Sequence, residues 1–173
     1  MVQDGVICTR KQFPQRRSSN PLRQFRSELG FWVEAAALLR LQGLPYVPRV
    51  VRIEPENTAI TMEYIRGENL RTILQVRSND RKYESLEHTF VEALEKAGPA
   101  IASKVGRMLL GLLQRGVAPR DVNAANFILA RSSGRLYVVD FHLSWLRPVL
   151  PFHREAEAIN EIVRTISVGS LRV

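Results

Sequence analysis

The sequence predicts an α+β fold arranged as two small lobes that share a cleft. Two observations support this prediction: a long segment with helical spacing of apolar residues precedes a pair of β-prone segments, and further helical segments precede a second such pair. A chain of 173 residues is long enough for one ordinary domain or for two small lobes. The predicted link between the lobes is EYIRGEN, residues 63–69.

The first half of the chain predicts a strand, a long helix and a hairpin. Residues 6–9, VICT, are β-prone. Apolar residues then recur at helical spacing from Leu22 to about Gln42, which predicts a long amphipathic helix. Residues 46–53, YVPRVVRI, and residues 58–65, TAITMEYI, flank the turn sequence EPEN and form a predicted β-hairpin.

The second half of the chain predicts helices followed by another hairpin. The sequence RGENL at 66–70 breaks the preceding strand and begins a short helix, and the polar residues 76–86 predict a loop. The remaining predicted elements are helices over 87–96 and 100–116, strands over 127–130 and 136–141, and a final helix over 153–167.

The charge of the chain favours anionic partners. Its 25 Lys and Arg residues exceed its 17 Asp and Glu residues, which gives a formal net charge of +8 at pH 7. The aromatic residues are not interleaved with the basic residues, so we expect no nucleic-acid partner. We expect instead a phosphate-bearing small molecule or association with a membrane surface.

Cysteine content and hydropathy predict the compartment. The single cysteine, Cys8, excludes an intramolecular disulfide and a cysteine-based zinc cluster. The first residues lack the basic head and long apolar segment of a signal peptide. No run approaches the roughly 18 apolar residues that a membrane span needs. The sequence therefore predicts a cytoplasmic protein.

The stretch 116–144, GVAPRDVNAANFILARSSGRLYVVDFHLS, places polar side chains around a tight hairpin. Asp121 lies in the loop before the first strand, Asn126 directly precedes that strand, and Asp140 ends its partner strand. Because a hairpin brings its two ends together, Asp140 can approach Asn126. A carboxylate and an amide oxygen are ligands that magnesium accepts beside nucleotide phosphates. Asp121 would then accept a proton from a hydroxyl nucleophile or orient it.

This stretch resembles the catalytic loop and metal-binding segment of the protein-kinase-like superfamily, whose pattern is H-R-D-x-x-x-x-N, a strand pair and D-F-G. Asp121, Asn126 and Asp140 stand at the matching positions. The resemblance implies that Asp121 is the catalytic residue and that Asn126 and Asp140 hold Mg²⁺. Two residues depart from the pattern: Pro119 replaces the His, and His142 replaces the Gly.

An earlier segment resembles the lysine-bearing strand of the same superfamily. In VICTRKQF, residues 6–13, Lys11 is the best match to the lysine that holds nucleotide phosphates. Glu34 falls where the superfamily places the helix carboxylate that pairs with this lysine, and Glu28 is the alternative.

The segment TAITMEYIRGENLRTIL is similar to the hinge between the lobes of this superfamily. The resemblance implies that Met62 flanks the adenine pocket. It also implies that backbone groups of Glu63, Tyr64 and Ile65 bond the edge of the base.

The resemblance implies a two-lobed protein-kinase-like fold with a reduced N-lobe over 1–65 and a shortened, mostly helical C-lobe over 66–173. The N-lobe is expected to be reduced because only ten residues precede Lys11, which leaves little room for a glycine-rich phosphate lid. The C-lobe is expected to be shortened because 33 residues follow Asp140.

The implied function is ATP-dependent, Mg²⁺-dependent transfer of the γ-phosphoryl group to a hydroxyl acceptor. RKQF and residues 34–51 are most similar to bacterial lipopolysaccharide-core (Kdo/heptose) sugar kinases, which implies an anionic or sugar-type acceptor and a peripheral position at the inner membrane face. A protein Ser or Thr hydroxyl is the alternative acceptor. The alternative function is a pseudokinase, which the short lid, Pro119 and His142 favour. The retention of Asp121, Asn126 and Asp140 together opposes that alternative, because binding alone needs no proton acceptor.

Overall fold

The computed structural model describes residues 2–3, 6–14, 21–75 and 86–146 of the chain. The described strands pair in antiparallel sheets and are combined with helices, as in an α+β fold. They are β1 (Val2–Gln3), β2 (Val6–Gln12), α1 (Pro21–Leu41), β3 (Val50–Glu54), β4 (Ala59–Glu63), β5 (Gly67–Asn69), α2 (Leu70–Ile73), α3 (Leu86–Ala97), α4 (Pro99–Gln114), β6 (Val117–Ala118), β7 (Phe127–Ala130), β8 (Leu136–Val138) and β9 (Trp145–Leu146).

The N-terminal strands form an antiparallel sheet in the order β1-β2-β4-β3. The predicted hairpin across EPEN is confirmed: β3 pairs with β4, and the turn is a 3₁₀ helix over Pro55–Asn57. Thr58 closes this turn in a left-handed conformation with φ 42°. Strand β2 lies beside β4, with Lys11 opposite Ile60. The sheet therefore fixes Lys11 by its pairing with β4.

Helix α1 buries one face against the core. Phe31, Leu38 and Leu41 are at most 1% exposed, and Glu34 is buried on the same helix. These positions recur at helical spacing, which explains why the predicted helix over 22–42 agrees with the observed one. Near its end, the Arg40 guanidinium donates to the backbone oxygen of Gly116, 3.1 Å away, and so ties α1 to the segment after α4.

The C-terminal part contains helices α2, α3 and α4, the three-stranded sheet β5-β7-β8 and the two-stranded sheet β6-β9. The predicted helices at 87–96 and 100–116 are confirmed with small shifts of their ends. Phe90 of α3 stacks on Phe127 of β7 with ring centroids 5.5 Å apart. The predicted hairpin is also confirmed, because β7 pairs with β8. It ends earlier than predicted, since β8 stops at Val138 and leaves Asp140 in the following loop.

One secondary-structure prediction is wrong in part. Residues 67–69 were expected to break the strand and begin a helix, whereas they form β5 and pair with β7 before α2 begins. The side chain of Asn69 then caps α2 by accepting a hydrogen bond from the Thr72 amide at 2.9 Å. The partner of β5 lies about 60 residues away, so the three residues of β5 do not by themselves indicate a strand.

The buried apolar residues form one contiguous cluster. It includes residues before and after position 65, among them Phe31, Ile60, Leu112 and Phe127. The division into lobes at residue 65 therefore stays a prediction. Residues 76–85 of the loop predicted at 76–86 and the predicted helix at 153–167 lie outside the described residues, whereas Leu86 begins α3. None of the helices within the described ranges has the length and apolar character that crossing a membrane requires.

Gly67 allows β5 to approach β7 closely, and we expect its replacement by alanine to destabilise the fold. A Cβ at Gly67 would lie 2.2 Å from the carbonyl oxygen of Leu129, so the backbone would have to shift. Gly67→Ala should lower the free energy of unfolding by about 1–3 kcal/mol, the usual effect of overpacking. Urea-induced unfolding followed by circular dichroism measures this change.

Gly30→Ala is the matched control for this variant. Gly30 lies in α1, and its added Cβ would meet its nearest neighbour, the Phe13 ring, at 3.8 Å. Replacing a helix-interior glycine without a clash should leave stability unchanged or raise it by up to about 1 kcal/mol. Equal stability of Gly67→Ala and Gly30→Ala would contradict the close approach of β5 to β7.

Candidate active site

The structure brings Lys11 between two carboxylates from distant parts of the chain. The Lys11 ammonium donates to Glu34 Oε2 at 2.5 Å and to Asp140 Oδ1 at 2.7 Å. Glu34 reaches this position from the buried face of α1, whereas Glu28 is exposed on the same helix. Of the two carboxylates considered from the sequence, Glu34 is therefore the one that contacts Lys11. The Lys11 ammonium also lies 5.2 Å from the centre of the Phe13 ring.

The two carboxylates differ in how strongly they hold a proton. Burial raises the pKa of Glu34 above its ordinary value of 4.5, although the charge and hydrogen bond of Lys11 act in the opposite direction. Burial also opposes the ionisation of Asp140. Hydrogen bonds and charge from Lys11 and His142 outweigh it, so the pKa of Asp140 lies below its ordinary value of 3.8. Asp140 is therefore ionised at neutral pH.

Asp140 has a distinctive backbone and a second partner. Its φ is 67°, in the left-handed region that few non-glycine residues adopt and that Asp and Asn tolerate best. Its Oδ1 forms a close hydrogen bond with Nδ1 of His142, two residues later. The loop after β8 thus turns sharply and presents this carboxylate to Lys11.

A cavity of about 410 Å³ opens beside this trio. Its size falls in the range of small-molecule sites, and its lining is mostly apolar with a few charged side chains. All six predicted nucleotide-binding residues line it, together with Asp140; these six are Lys11, Glu34, Met62, Glu63, Tyr64 and Ile65. We call this space the cleft.

Two of the predicted hinge amides are engaged within the protein. The Glu63 amide donates to Arg49 O at 2.8 Å, and the Tyr64 amide donates to Ile7 O at 2.9 Å. Among the described residues, the Ile65 amide has no backbone acceptor. Of the three amides, Ile65 is therefore the one placed to donate to a bound molecule.

The loop before β7 holds Asp121 through two asparagines. The Asn123 side-chain amide donates to Asp121 Oδ1 at 2.8 Å, and the Asn126 side-chain amide donates to the Asp121 backbone oxygen at 2.8 Å. Asn123 Oδ1 also accepts from the Ala125 amide at 2.8 Å, which begins the short 3₁₀ helix at Ala124–Asn126. Asp121 is half-buried and fixed in orientation.

This loop is joined directly to the segment that carries Asp140. The Val139 amide donates to the Asn126 backbone oxygen at 2.9 Å, one residue before Asp140. Asp121 and Asn126 do not line the cleft, whereas Val139 and Asp140 do. The structure thus separates the predicted site residues into a cleft group and a loop group that meet at this hydrogen bond.

The side-chain oxygens of Asp140 and Asn126 are suitable ligands for Mg²⁺. An ionised carboxylate on Asp140 and an amide oxygen on Asn126 are hard oxygen ligands of the kind that Mg²⁺ prefers. The Asn126 amide nitrogen donates to Asp121, which leaves its side-chain oxygen as the acceptor atom. Glu34, Asp140 and His142 also have ligand atoms within 4.8 Å of one another.

Sequence reasoning missed several residues of the site. Thr9, Pro48, Ile128 and Val139 line the cleft and were not predicted to do so. Thr9 could have been found, because side chains two apart on a strand share a face with Lys11. Pro48 and Ile128 could not, because only the tertiary fold brings their segments to the cleft.

Comparison with known sequences finds a partial match. No protein-family model matches the chain. Over 98 residues, or 57% of its length, the chain is 28% identical to the KEOPS complex subunit Bud32 of Pyrococcus abyssi (strain GE5 / Orsay). The match covers 36% of that protein, so the chain spans about a third of the length of the curated relative.

Two solved structures have a similar fold. The Cydia pomonella granulovirus kinase PK-1 matches with a TM-score of 0.50 and 19% identity over 80% of this chain and 45% of the viral kinase. WbdD matches with a TM-score of 0.54 and 17% identity over 91% of this chain and 32% of WbdD. The predicted fold class is confirmed: the chain has an α+β, protein-kinase-like fold.

Proposed function

We propose that this chain is an ATP-dependent phosphotransferase that acts on a hydroxyl acceptor. The contact of Lys11 with both the buried Glu34 and the ionised Asp140, at one end of the cleft, is the observation that carries the proposal. A buried carboxylate needs a cation beside it, and a lysine held in this way is positioned to bind phosphate oxygens.

Different residues of the cleft would bind the base and the phosphates of the nucleotide. Met62 would flank the adenine, and the Ile65 amide would donate to the base edge, since it lines the same cavity as Lys11. Lys11 would hold phosphate oxygens, with Glu34 fixing its ammonium. Binding in this orientation would place the terminal phosphate near Asp140.

The loop residues would act on the acceptor and the metal. Asn126 and Asp140 would hold Mg²⁺, which neutralises charge on the phosphate oxygens when bound. Asp121 would accept the proton of the attacking hydroxyl, and Asn123 keeps its carboxylate in one orientation. Phosphoryl transfer needs mostly positioning and charge stabilisation, which this arrangement supplies.

The proposed acceptor is an anionic or sugar-type hydroxyl compound. The net charge of +8 favours an anionic acceptor, either free or presented at the inner face of a membrane. The similarity of residues 34–51 to lipopolysaccharide-core sugar kinases supports a sugar, and a protein hydroxyl is the alternative.

A pseudokinase is the second candidate, and one observation favours it. His142 stands where the related pattern has glycine, and its ring forms a hydrogen bond to Asp140, the proposed metal ligand. This contact competes with metal binding at Asp140. A pseudokinase would keep the cleft and bind a nucleotide or partner without transfer.

The experiment that separates these functions is ATP binding and hydrolysis by the purified chain, with Mg²⁺ and with excess EDTA. The proposed function predicts saturable ATP binding that strengthens with Mg²⁺ and slow ATP hydrolysis that EDTA abolishes. Isothermal titration calorimetry measures ATP binding, and a phosphate-release assay measures ATP hydrolysis. Metal-independent binding without hydrolysis would instead support a pseudokinase that binds nucleotide. Absence of ATP binding would refute the phosphotransferase and leave a pseudokinase that binds a partner.

A further inference from the structure

A second cavity, of about 460 Å³, is lined by residues that the proposed reaction does not use. No residue that lines it also lines the cleft. We call it the basic cavity and define it by six of its lining residues: Tyr46, Lys104, Arg107, Met108, Arg135 and Leu136.

Three separate elements build the walls of the basic cavity. Tyr46 comes from the loop between α1 and β3, Lys104 and Arg107 come from one face of α4, and Arg135 directly precedes β8. The loop is fastened to β8, because the Val138 amide donates to the Tyr46 backbone oxygen at 2.9 Å.

The ring of Tyr46 is accommodated by a glycine of α4. A Cβ at Gly111 would lie 1.9 Å from the Tyr46 hydroxyl oxygen, so only glycine permits the observed ring position. Burial raises the pKa of Tyr46 above 10.0, although the charge of Arg115 acts in the opposite direction. The Tyr46 hydroxyl therefore stays protonated at neutral pH and can donate a hydrogen bond.

The rim of the cavity is cationic and its floor is apolar. Lys104, Arg107 and Arg135 are exposed, and none of them forms a salt bridge with an acidic side chain among the described residues. Met108 and Leu136 line the same cavity and are each 3% exposed, so they form its buried apolar part. Three like charges around one cavity repel one another, and an anion between them would relieve that repulsion.

We propose that the basic cavity binds a phosphorylated small molecule with a ring or other apolar portion, at a site separate from the cleft. Arginine and lysine are the side chains that recognise phosphate, and the Tyr46 hydroxyl adds a neutral donor. The apolar floor gives the rest of the ligand a surface to cover, and the volume lies within the range of small-molecule sites. This site does not depend on phosphoryl transfer.

Phenyl phosphate is a suitable probe, because it combines a phosphate with an apolar ring. Calorimetric titration of the full chain should show saturable binding that is retained in Lys11→Ala, a variant that removes the ammonium group of the cleft and whose folded state is checked by circular dichroism. Arg107→Ala should weaken binding at least tenfold. Phenol, which has the ring without the charge, should show no measurable binding over the same concentrations.

Arg71→Ala is the matched control. Arg71 is an exposed arginine on α2 that lines neither cavity, so its loss removes one positive charge without changing the site. Thermal unfolding should be the same for Arg107→Ala and Arg71→Ala, because both side chains are exposed. The proposal is overturned if phenyl phosphate does not bind, if Arg107→Ala and Arg71→Ala weaken binding equally, or if the folded Lys11→Ala variant no longer binds phenyl phosphate.

Discussion

Replacement of Asp121 with asparagine is expected to lower the rate of phosphoryl transfer by about 10²–10⁴-fold, the usual contribution of a general base. Asparagine keeps the shape of the side chain and an oxygen that can accept from Asn123. The Asn126 hydrogen bond is retained as well, because it goes to the backbone oxygen of residue 121. The variant therefore removes proton-accepting capacity with little change to the loop.

The same variant should bind ATP almost as tightly as the wild-type chain. Asp121 does not line the cleft, and none of the cleft contacts of Lys11 involves it. On one preparation of the variant, calorimetric ATP titration measures the affinity and a phosphate-release assay measures the hydrolysis rate. A hydrolysis rate equal to that of the wild type would show that Asp121 is only a structural residue of the loop.

Asp140→Asn is expected to remove the magnesium dependence of ATP binding. In the wild-type chain, the lowered pKa of Asp140 keeps its carboxylate charged at neutral pH, as a metal ligand must be. The variant should bind ATP equally with Mg²⁺ and with EDTA, and at least tenfold more weakly than the wild type with Mg²⁺. Titration under the two conditions measures this difference. A variant that kept the full magnesium effect would remove Asp140 from the proposed metal site.

Asparagine is the informative substitution at this position because of the backbone. At φ 67°, asparagine is tolerated nearly as well as aspartate, whereas alanine adds strain of about 1 kcal/mol or more. The pair between Lys11 and Glu34 is also retained in Asp140→Asn. Comparing the asparagine and alanine variants thus separates the loss of charge from the strain in the loop.

The long elements of the fold were predictable from local sequence. Helix α1 and helix α4 bury apolar stripes of several turns, and each stripe is visible as a period in the sequence. The two hairpins were predictable because their strands are neighbours in the chain and their turns contain Pro, Asn, Ser or Gly. Strand β5 was not predicted, because its partner strand is distant in the sequence: Gly67 pairs with Ala130. Glycine is needed at position 67 because a Cβ there would clash with the Leu129 carbonyl oxygen.

The sequence by itself determined which chemical groups are available for a site. They are Asp121, Asn126 and Asp140 around one hairpin, Lys11 on a strand, and Glu34 on the helix that follows that strand. Only the tertiary structure decided which of them meet. Lys11 contacts carboxylates 23 and 129 positions away, and these contacts depend on how α1 and the loop after β8 pack against the sheet.

The basic cavity also shows what the sequence determines and what only the tertiary structure determines. Its arginines and lysine are scattered charges in the sequence, and Tyr46 is the first residue of a predicted strand that the structure begins only at Val50. Their convergence results from the packing of a loop on α4 at Gly111 and from its hydrogen bond to β8. Local sequence encodes periods and turns, whereas a site built from three elements exists only once the chain has folded and long-range packing has set their distances.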